Sequence, residues 1–133
     1  MVAMVRARAA PMVLVVEDER EIRETVADIL VQAGYRVSTA PNGHVALERA
    51  RVNRPDLIFL DLMMPVMSGW EFLEAQREDP DLATVPVIAA SAGLDSSAEG
   101  AAVFLRKPFD LDTLLVAASR LCSVSEQLDE IHA

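Results

Sequence analysis

Short apolar runs alternate along this chain with stretches whose apolar residues recur every three or four positions. Residues 12–16 form the first run, which suits a buried strand. Glu17-Asp18-Glu19 ends it, and Ile22, Val26, Ile29 and Leu30 then recur at helical spacing up to Gly34, a predicted C′ glycine. Residues 37–40 read as a second strand. Pro41-Asn42-Gly43 is a turn, with Asn42 the N-cap of a helix that runs to about Val52 and stops before Pro55. Leu57, Ile58, Phe59 and Leu60 are apolar without a break, the pattern of a strand covered on both faces. Pro65 and Gly69 then take the chain out through a tight loop, and Trp70, Leu73 and Arg77 mark a third helix ended by Asp79-Pro80. Residues 87–90 form a fourth strand ending on Ser91, and residues 103–105 a fifth ending at Lys107-Pro108. Asp110 is the predicted cap of a last helix with Leu111, Leu114, Leu115, Ala118 and Leu121 on one face.

Strand and helix therefore alternate five times. That order predicts an α/β fold: a doubly wound, five-stranded parallel sheet with helices on both faces. A flavodoxin-like strand order, 2-1-3-4-5, would set strands one and three side by side at the point where the winding reverses. The connection from strand four to strand five has only the 11 residues 92–102, with Gly93 and Gly100 inside it. A whole crossover needs about 10–12 residues, so the fourth helix of the fold is expected to be shortened to a turn or two. Residues 1–11 read as a flexible N-terminal extension, 12–122 as the domain, and 123–133 as a helical extension or tail in which Val124, Leu128 and Ile131 keep helical spacing.

Composition narrows the partners. The chain has 133 residues, enough for one good core, and a formal charge of −9, which argues against nucleic acid or an anionic membrane as a direct partner. The longest apolar run is far below the roughly 18 residues of a membrane span. A single cysteine, Cys122, sits in an apolar helical pattern and fits a reducing, cytoplasmic setting. Of the 12 basic residues only Lys107 is a lysine, which singles it out for chemistry.

The candidate residues share one address. Glu17 and Asp18 follow strand one, Asp61 follows strand three, Ser91 follows strand four and Lys107 follows strand five. In a parallel sheet these positions all open onto the carboxyl edge, where such folds bind ligands. Three carboxylates crowded there repel one another, and a hard divalent cation such as Mg²⁺ would relieve the conflict. Lys107 supplies a mobile point charge for a phosphate oxygen and Ser91 a hydroxyl donor. The set suits transfer of a phosphoryl group onto Asp61. Taken singly each residue has a plainer role: helix N-terminal acids, a strand-end cap, a solvated lysine.

Val-Val-Glu17-Asp18, Asp61-Leu-Met-Met-Pro65-Val-Met-Ser-Gly69, Ala-Ala-Ser91-Ala92 and Phe104-Leu-Arg-Lys107-Pro108-Phe109 together closely resemble the response-regulator receiver domain of two-component signalling, over about residues 12–122. The resemblance implies that Asp61 accepts phosphate from a histidine kinase or histidine phosphotransfer protein. It implies Mg²⁺ held by Asp18, Asp61 and the Met63 carbonyl, with Glu17 helping through water. Ser91 and Phe104 would form the switch pair, and Lys107 would precede a cis proline. The hydroxyl is Ser rather than the commoner Thr, and the ring is Phe rather than Tyr. Met63 and Gly93 stand where many relatives carry polar side chains that position hydrolytic water.

A free-standing switch that acts on a downstream protein is the first reading, and it is not a turnover enzyme. A receiver excised from a larger regulator or hybrid kinase uses the same residues. An aspartate-nucleophile phosphatase would usually need a second acid two residues after the nucleophile, where this chain has Met63. A pseudo-receiver that binds partners without phosphate leaves the complete set of acids, Ser91 and Lys107 without a purpose.

Overall fold

The computed structural model describes residues 10–92 and 100–132, with side chains up to residue 122. The apolar runs become β1 (Met12–Val16), β2 (Arg36–Ala40), β3 (Leu57–Asp61), β4 (Val87–Ser91) and β5 (Val103–Arg106). The described helices are α1 (Arg20–Gln32), α2 (Gly43–Val52), α3 (Gly69–Glu78) and α4 (Leu111–His132). All strand pairs are parallel, in the order β2-β1-β3-β4-β5. The expected α/β class and strand order are those of the structure. The expected shortened helix between β4 and β5 falls on residues 93–99, outside the described residues.

Period-two alternation sorts the sheet into two cores. Leu14, Val16, Ile58, Leu60 and Ala89 face α2 and α3, where Ala46, Leu47, Phe72 and Leu73 cover them. Val13, Val15, Leu57, Phe59, Ile88 and Ala90 face the other way, against Val26 and Leu30 of α1 and Leu114, Ala118 and Cys122 of α4. Both faces of β1, β3 and β4 are covered, which is why their sequences are apolar without alternation.

The local signals match their elements. Asn42 caps α2, its Oδ1 accepting from the Val45 amide at 2.9 Å. Gly34 ends α1 in the left-handed region at φ 102°, where a Cβ would be strained. Ser68 and Glu71 close a capping box at the start of α3. Ala10 and Pro11 are tied to β2, their carbonyls accepting from the side chain and the amide of Arg36 at 2.8 and 3.0 Å.

Two helix faces differ from expectation. In α3 the buried set is Phe72, Leu73 and Gln76, while Trp70 is half-buried and Arg77 exposed. The buried stripe runs from Gly69 through Phe72, Leu73 and Gln76, one position ahead of the stripe expected from Trp70. In α4, Leu114, Ala118 and Cys122 are buried and Leu111 is 37% exposed. Leu111 is the first residue of the helix and lines an open cleft with Ile22, Val26 and Phe109, while Leu115 and Leu121 pack half-buried against the core as expected.

Gln76 was unexpected in the core. Its Nε2 donates to the carbonyls of Leu82 and Val85, both at 2.9 Å, tying the irregular α3–β4 connection to the helix. Gln76→Leu would strip both buried carbonyls of this donor, at roughly 1–3 kcal/mol each. Urea unfolding should show a loss of about 3 kcal/mol; a loss below about 1 kcal/mol would mean that water replaces the amide.

Candidate functional site

The two-residue period also places the chemistry. Residues 13 and 15 of β1, 57 and 59 of β3, and 103 and 105 of β5 belong to the core under α1 and α4. Glu17, Asp61 and Lys107 continue those three series by one more step, so they leave the sheet on that same side. The Lys107 ammonium lies 3.0 Å from Glu17 Oε1 and 3.5 Å from Asp61 Oδ1. Glu17, Asp18 and Asp61 each offer a carboxylate oxygen, all within 4.8 Å of one another, and Asp18 is the least buried of the three.

Glu17 is 0% and Asp61 3% exposed, an unusual state for acids. Burial pushes the Glu17 carboxyl up to about 7, and the neighbouring Asp61 charge adds to the rise against the pull of Lys107. Asp61 is also raised, by burial first, although the Met63 amide donates to its Oδ1 at 3.1 Å. Burial works against the Lys107 charge, but the Glu17 hydrogen bond and both carboxylates outweigh it and raise its pKa. One ammonium thus serves two buried acids and leaves an excess of negative charge. That donor set fits a hard divalent cation.

Ser91 and Phe104 belong to the opposite face. Ala89 pairs with Phe104 in register, and both join the core under α2 and α3. Ser91, two residues beyond Ala89, extends from the sheet on that side and is fully buried, while Phe104 is half-buried. The two residues expected to form the switch pair therefore share one face of the sheet. The Lys107-Pro108 peptide is cis. The Lys107 amide donates to the Ser91 carbonyl at 2.9 Å, which ties the lysine to the end of β4. Met63 is 58% exposed at the rim of the site, and Gly93 lies outside the described residues.

Gly69 sets how closely α3 can approach β3. Its amide donates to the Leu62 carbonyl at 3.0 Å, and a Cβ there would come 2.6 Å from Leu62 Cα and 2.8 Å from the Asp61 carbonyl oxygen. Backbone cannot yield as a side-chain tip can. Gly69→Ala should cost about 3 kcal/mol by displacing α3 or the end of β3. Full stability of that variant in denaturant would show that the loop adapts freely.

Sequence reasoning did not find Arg23. Its Nη1 donates to the carbonyl of Glu17 at 2.9 Å and lies 3.4 Å from that of Asp18. The one signal was a cation in the first turn of a helix, the end at which the helix dipole disfavours it.

A family profile described as the response regulator receiver domain matches residues 13–119. The chain belongs to the response-regulator receiver family. The sensor histidine kinase TmoS of Ectopseudomonas mendocina is 38% identical over 120 residues, which are 86% of this chain and 12% of that protein. The response regulator MprA of a Mycobacterium strain is 38% identical over 110 residues, 77% of this chain and 46% of that protein. The receiver thus spans less than half the length of these two curated relatives. Among solved structures, the Vibrio cholerae chemotaxis protein CheY4 superposes with a TM-score of 0.79 at 37% identity, covering 85% of this chain and 99% of that one. The response regulator TrrA of Thermotoga maritima, solved in complex with Mg(2+)-BeF, gives a TM-score of 0.76 at 30% identity, over 84% and 98% of the two chains. Among the described residues of this receiver, no helix is long and apolar enough to cross a membrane.

Proposed function

We propose that Asp61 is the phosphoacceptor of this receiver, that Glu17, Asp18, Asp61 and the Met63 carbonyl hold Mg²⁺, and that Ser91 and Phe104 carry the response to a partner surface. The observation that carries the reading is the triad of Glu17, Asp61 and Lys107, two buried acids sharing one partly exposed ammonium at 3.0 and 3.5 Å. Mg²⁺ bound there would offset the mutual repulsion of the acids and the negative charge of the incoming phosphoryl group.

In the transfer, an Asp61 carboxylate oxygen attacks the phosphorus of a phosphohistidine on a histidine kinase or histidine phosphotransfer protein. The new O–P bond forms as the P–N bond breaks, and the imidazole nitrogen keeps the electron pair and later takes a proton. Lys107 holds Asp61 in place beforehand and pairs with a phosphoryl oxygen afterwards. Ser91 donates its hydroxyl to another phosphoryl oxygen. Drawing Ser91 toward the phosphoryl group alters the space beside Phe104 on β5, and a downstream protein reads that change. A cleft of about 510 Å³, lined by Ile22, Val26, Lys107, Pro108, Phe109 and Leu111 among others, opens beside Lys107 and offers the phosphodonor domain a seat.

The product stays on Asp61, so the receiver is a switch and not a turnover enzyme. Residues 12–122 form the signalling unit, working in a reducing cytoplasm with Cys122 buried and unoxidised.

The test is labelling by a small phosphodonor such as acetyl phosphate, followed by mass spectrometry of the acyl phosphate. With Mg²⁺ present, one phosphoryl group should appear on the peptide containing Asp61, and chelation should block it. Labelling elsewhere, or undiminished labelling in chelator, would overturn the reading.

A further inference from the structure

We infer that Arg23 is a positioning residue for the acidic pair, holding the Glu17-Asp18 backbone so that both carboxylates converge on one cation. The inference rests on the metal reading given above and names a residue that touches neither the metal nor the phosphoryl group.

β1 is paired with β3 only as far as Val16, and the Glu17 amide makes one last bond to the Ala40 carbonyl at 3.1 Å. Beyond it the chain turns into α1, whose N-cap residue Glu19 makes no side-chain capping bond. The turn nevertheless has to present two consecutive acids to one point, although successive side chains in an extended chain diverge. Three contacts fix it. The Glu19 amide donates to Glu17 Oε2 at 3.3 Å, and the Arg23 amide donates to the Glu19 carbonyl at 2.9 Å as the helix begins. The Arg23 guanidinium reaches back to the Glu17 carbonyl at 2.9 Å and lies 3.4 Å from the Asp18 carbonyl.

Arg20, in the same turn, pairs instead with Glu24 on the surface at 2.9 Å. Arg23 alone of the two is turned inward. Its Nη1 alone faces both carbonyls, its two N–H bonds held in the guanidinium plane, whereas an ammonium at the end of a flexible stem fixes no such direction. The helix dipole disfavours a cation at this end, so the contacts with the loop carbonyls are what hold it there.

Charge and geometry predict opposite results, which makes the test sharp. By Coulomb's law alone, removing a positive charge beside three acids would tighten Mg²⁺ binding. If the guanidinium positions the loop, its removal loosens binding, as loss of a group that orients metal ligands typically does by about 10–100-fold. Mg²⁺ titration of wild type, Arg23→Gln and Arg23→Lys, followed by calorimetry, reads this directly. Urea unfolding without metal is measured in parallel.

Arg23→Gln should weaken Mg²⁺ binding about tenfold, and Arg23→Lys should fall between it and wild type, with both variants still folded in the metal-free state. Unchanged or tighter binding in Arg23→Gln, with wild type binding normally, would overturn the positioning role alone. A wild type that binds no Mg²⁺ would overturn the metal reading and this inference with it. A variant that unfolds in urea far earlier yet binds Mg²⁺ like wild type would assign Arg23 to the fold instead.

Discussion

Asp61→Asn abolishes phosphoryl incorporation while leaving the receiver folded; this is the largest functional effect expected of any single substitution. The carboxamide keeps the shape of the side chain and can still accept the Met63 amide bond, made to Asp61 Oδ1 at 3.1 Å. It lacks the anionic oxygen that attacks phosphorus, and no other acid takes over. Glu17 is fully buried against Lys107, and the less buried Asp18 is the acid that Mg²⁺ would occupy. Removing one of two buried carboxylates also removes a repulsion, so metal-free Asp61→Asn should unfold at higher urea than wild type. The Glu17 carboxyl, partly raised by the Asp61 charge, should titrate lower in the variant. Incorporation from acetyl phosphate and the urea midpoint are the two measurements. A labelled Asp61→Asn protein would remove Asp61 from its role, and a variant less stable than wild type would mean that Lys107 gains more from Asp61 than the acids lose to each other.

In the metal-free receiver the stability contributed by the Glu17 proton is lost as pH rises from about 4.5 to about 7, and Mg²⁺ offsets that loss. The folded Glu17 carboxyl titrates near 7 against an ordinary value of 4.5, so across this window the folded state holds a proton that the unfolded chain has released. Stability from that proton is complete below about 4.5 and is lost as pH rises through the folded value. At about 1.4 kcal/mol per unit the loss approaches about 3 kcal/mol, and the raised Asp61 adds in the same direction. Mg²⁺ favours the ionised acids, so at pH 7.5 and a hundredfold excess over its dissociation constant it should return about 2.7 kcal/mol. At pH 4.5 it should return much less. Comparison with Glu17→Gln isolates this proton from the surface carboxylates, whose ordinary contribution runs the other way. Equal slopes in wild type and Glu17→Gln, or Mg²⁺ stabilisation independent of pH, would contradict the account.

Much of the site was legible before any tertiary structure. Acids after strands one and three, a hydroxyl after strand four and the lone lysine after strand five needed only the rule that parallel strands open their carboxyl ends together. Gln76 and Arg23 were not legible. Both act on backbone carbonyls, of Leu82 and Val85 in one case and of Glu17 in the other. A bond from a side chain to a backbone carbonyl leaves no mark on the partner's residue type, even six to nine residues away. The buried stripe of α3 is offset by one position from the expected one, and Leu111 of α4 is exposed, whereas Leu114, Leu115, Ala118 and Leu121 pack as expected. Trp70 packs, half-buried, against the core under α2 and α3, so its apolar character alone could not fix the phase of its helix.

By itself the sequence determined the alternation of elements, the strand bounds to within a residue and the strand-end address of Glu17, Asp18, Asp61, Ser91 and Lys107, because burial on both faces demands unbroken apolar runs and each run must end in a turn. Only the tertiary structure decided the division of the two faces: Glu17, Asp61 and Lys107 toward α1 and α4, Ser91 and Phe104 toward α2 and α3. It alone decided that one ammonium stands within 3.0 and 3.5 Å of two buried carboxylates. The reason is physical. Order along the chain sets which residue ends each strand, but the register between strands and the depth of burial set distances and charge states, and both arise from packing across the sheet.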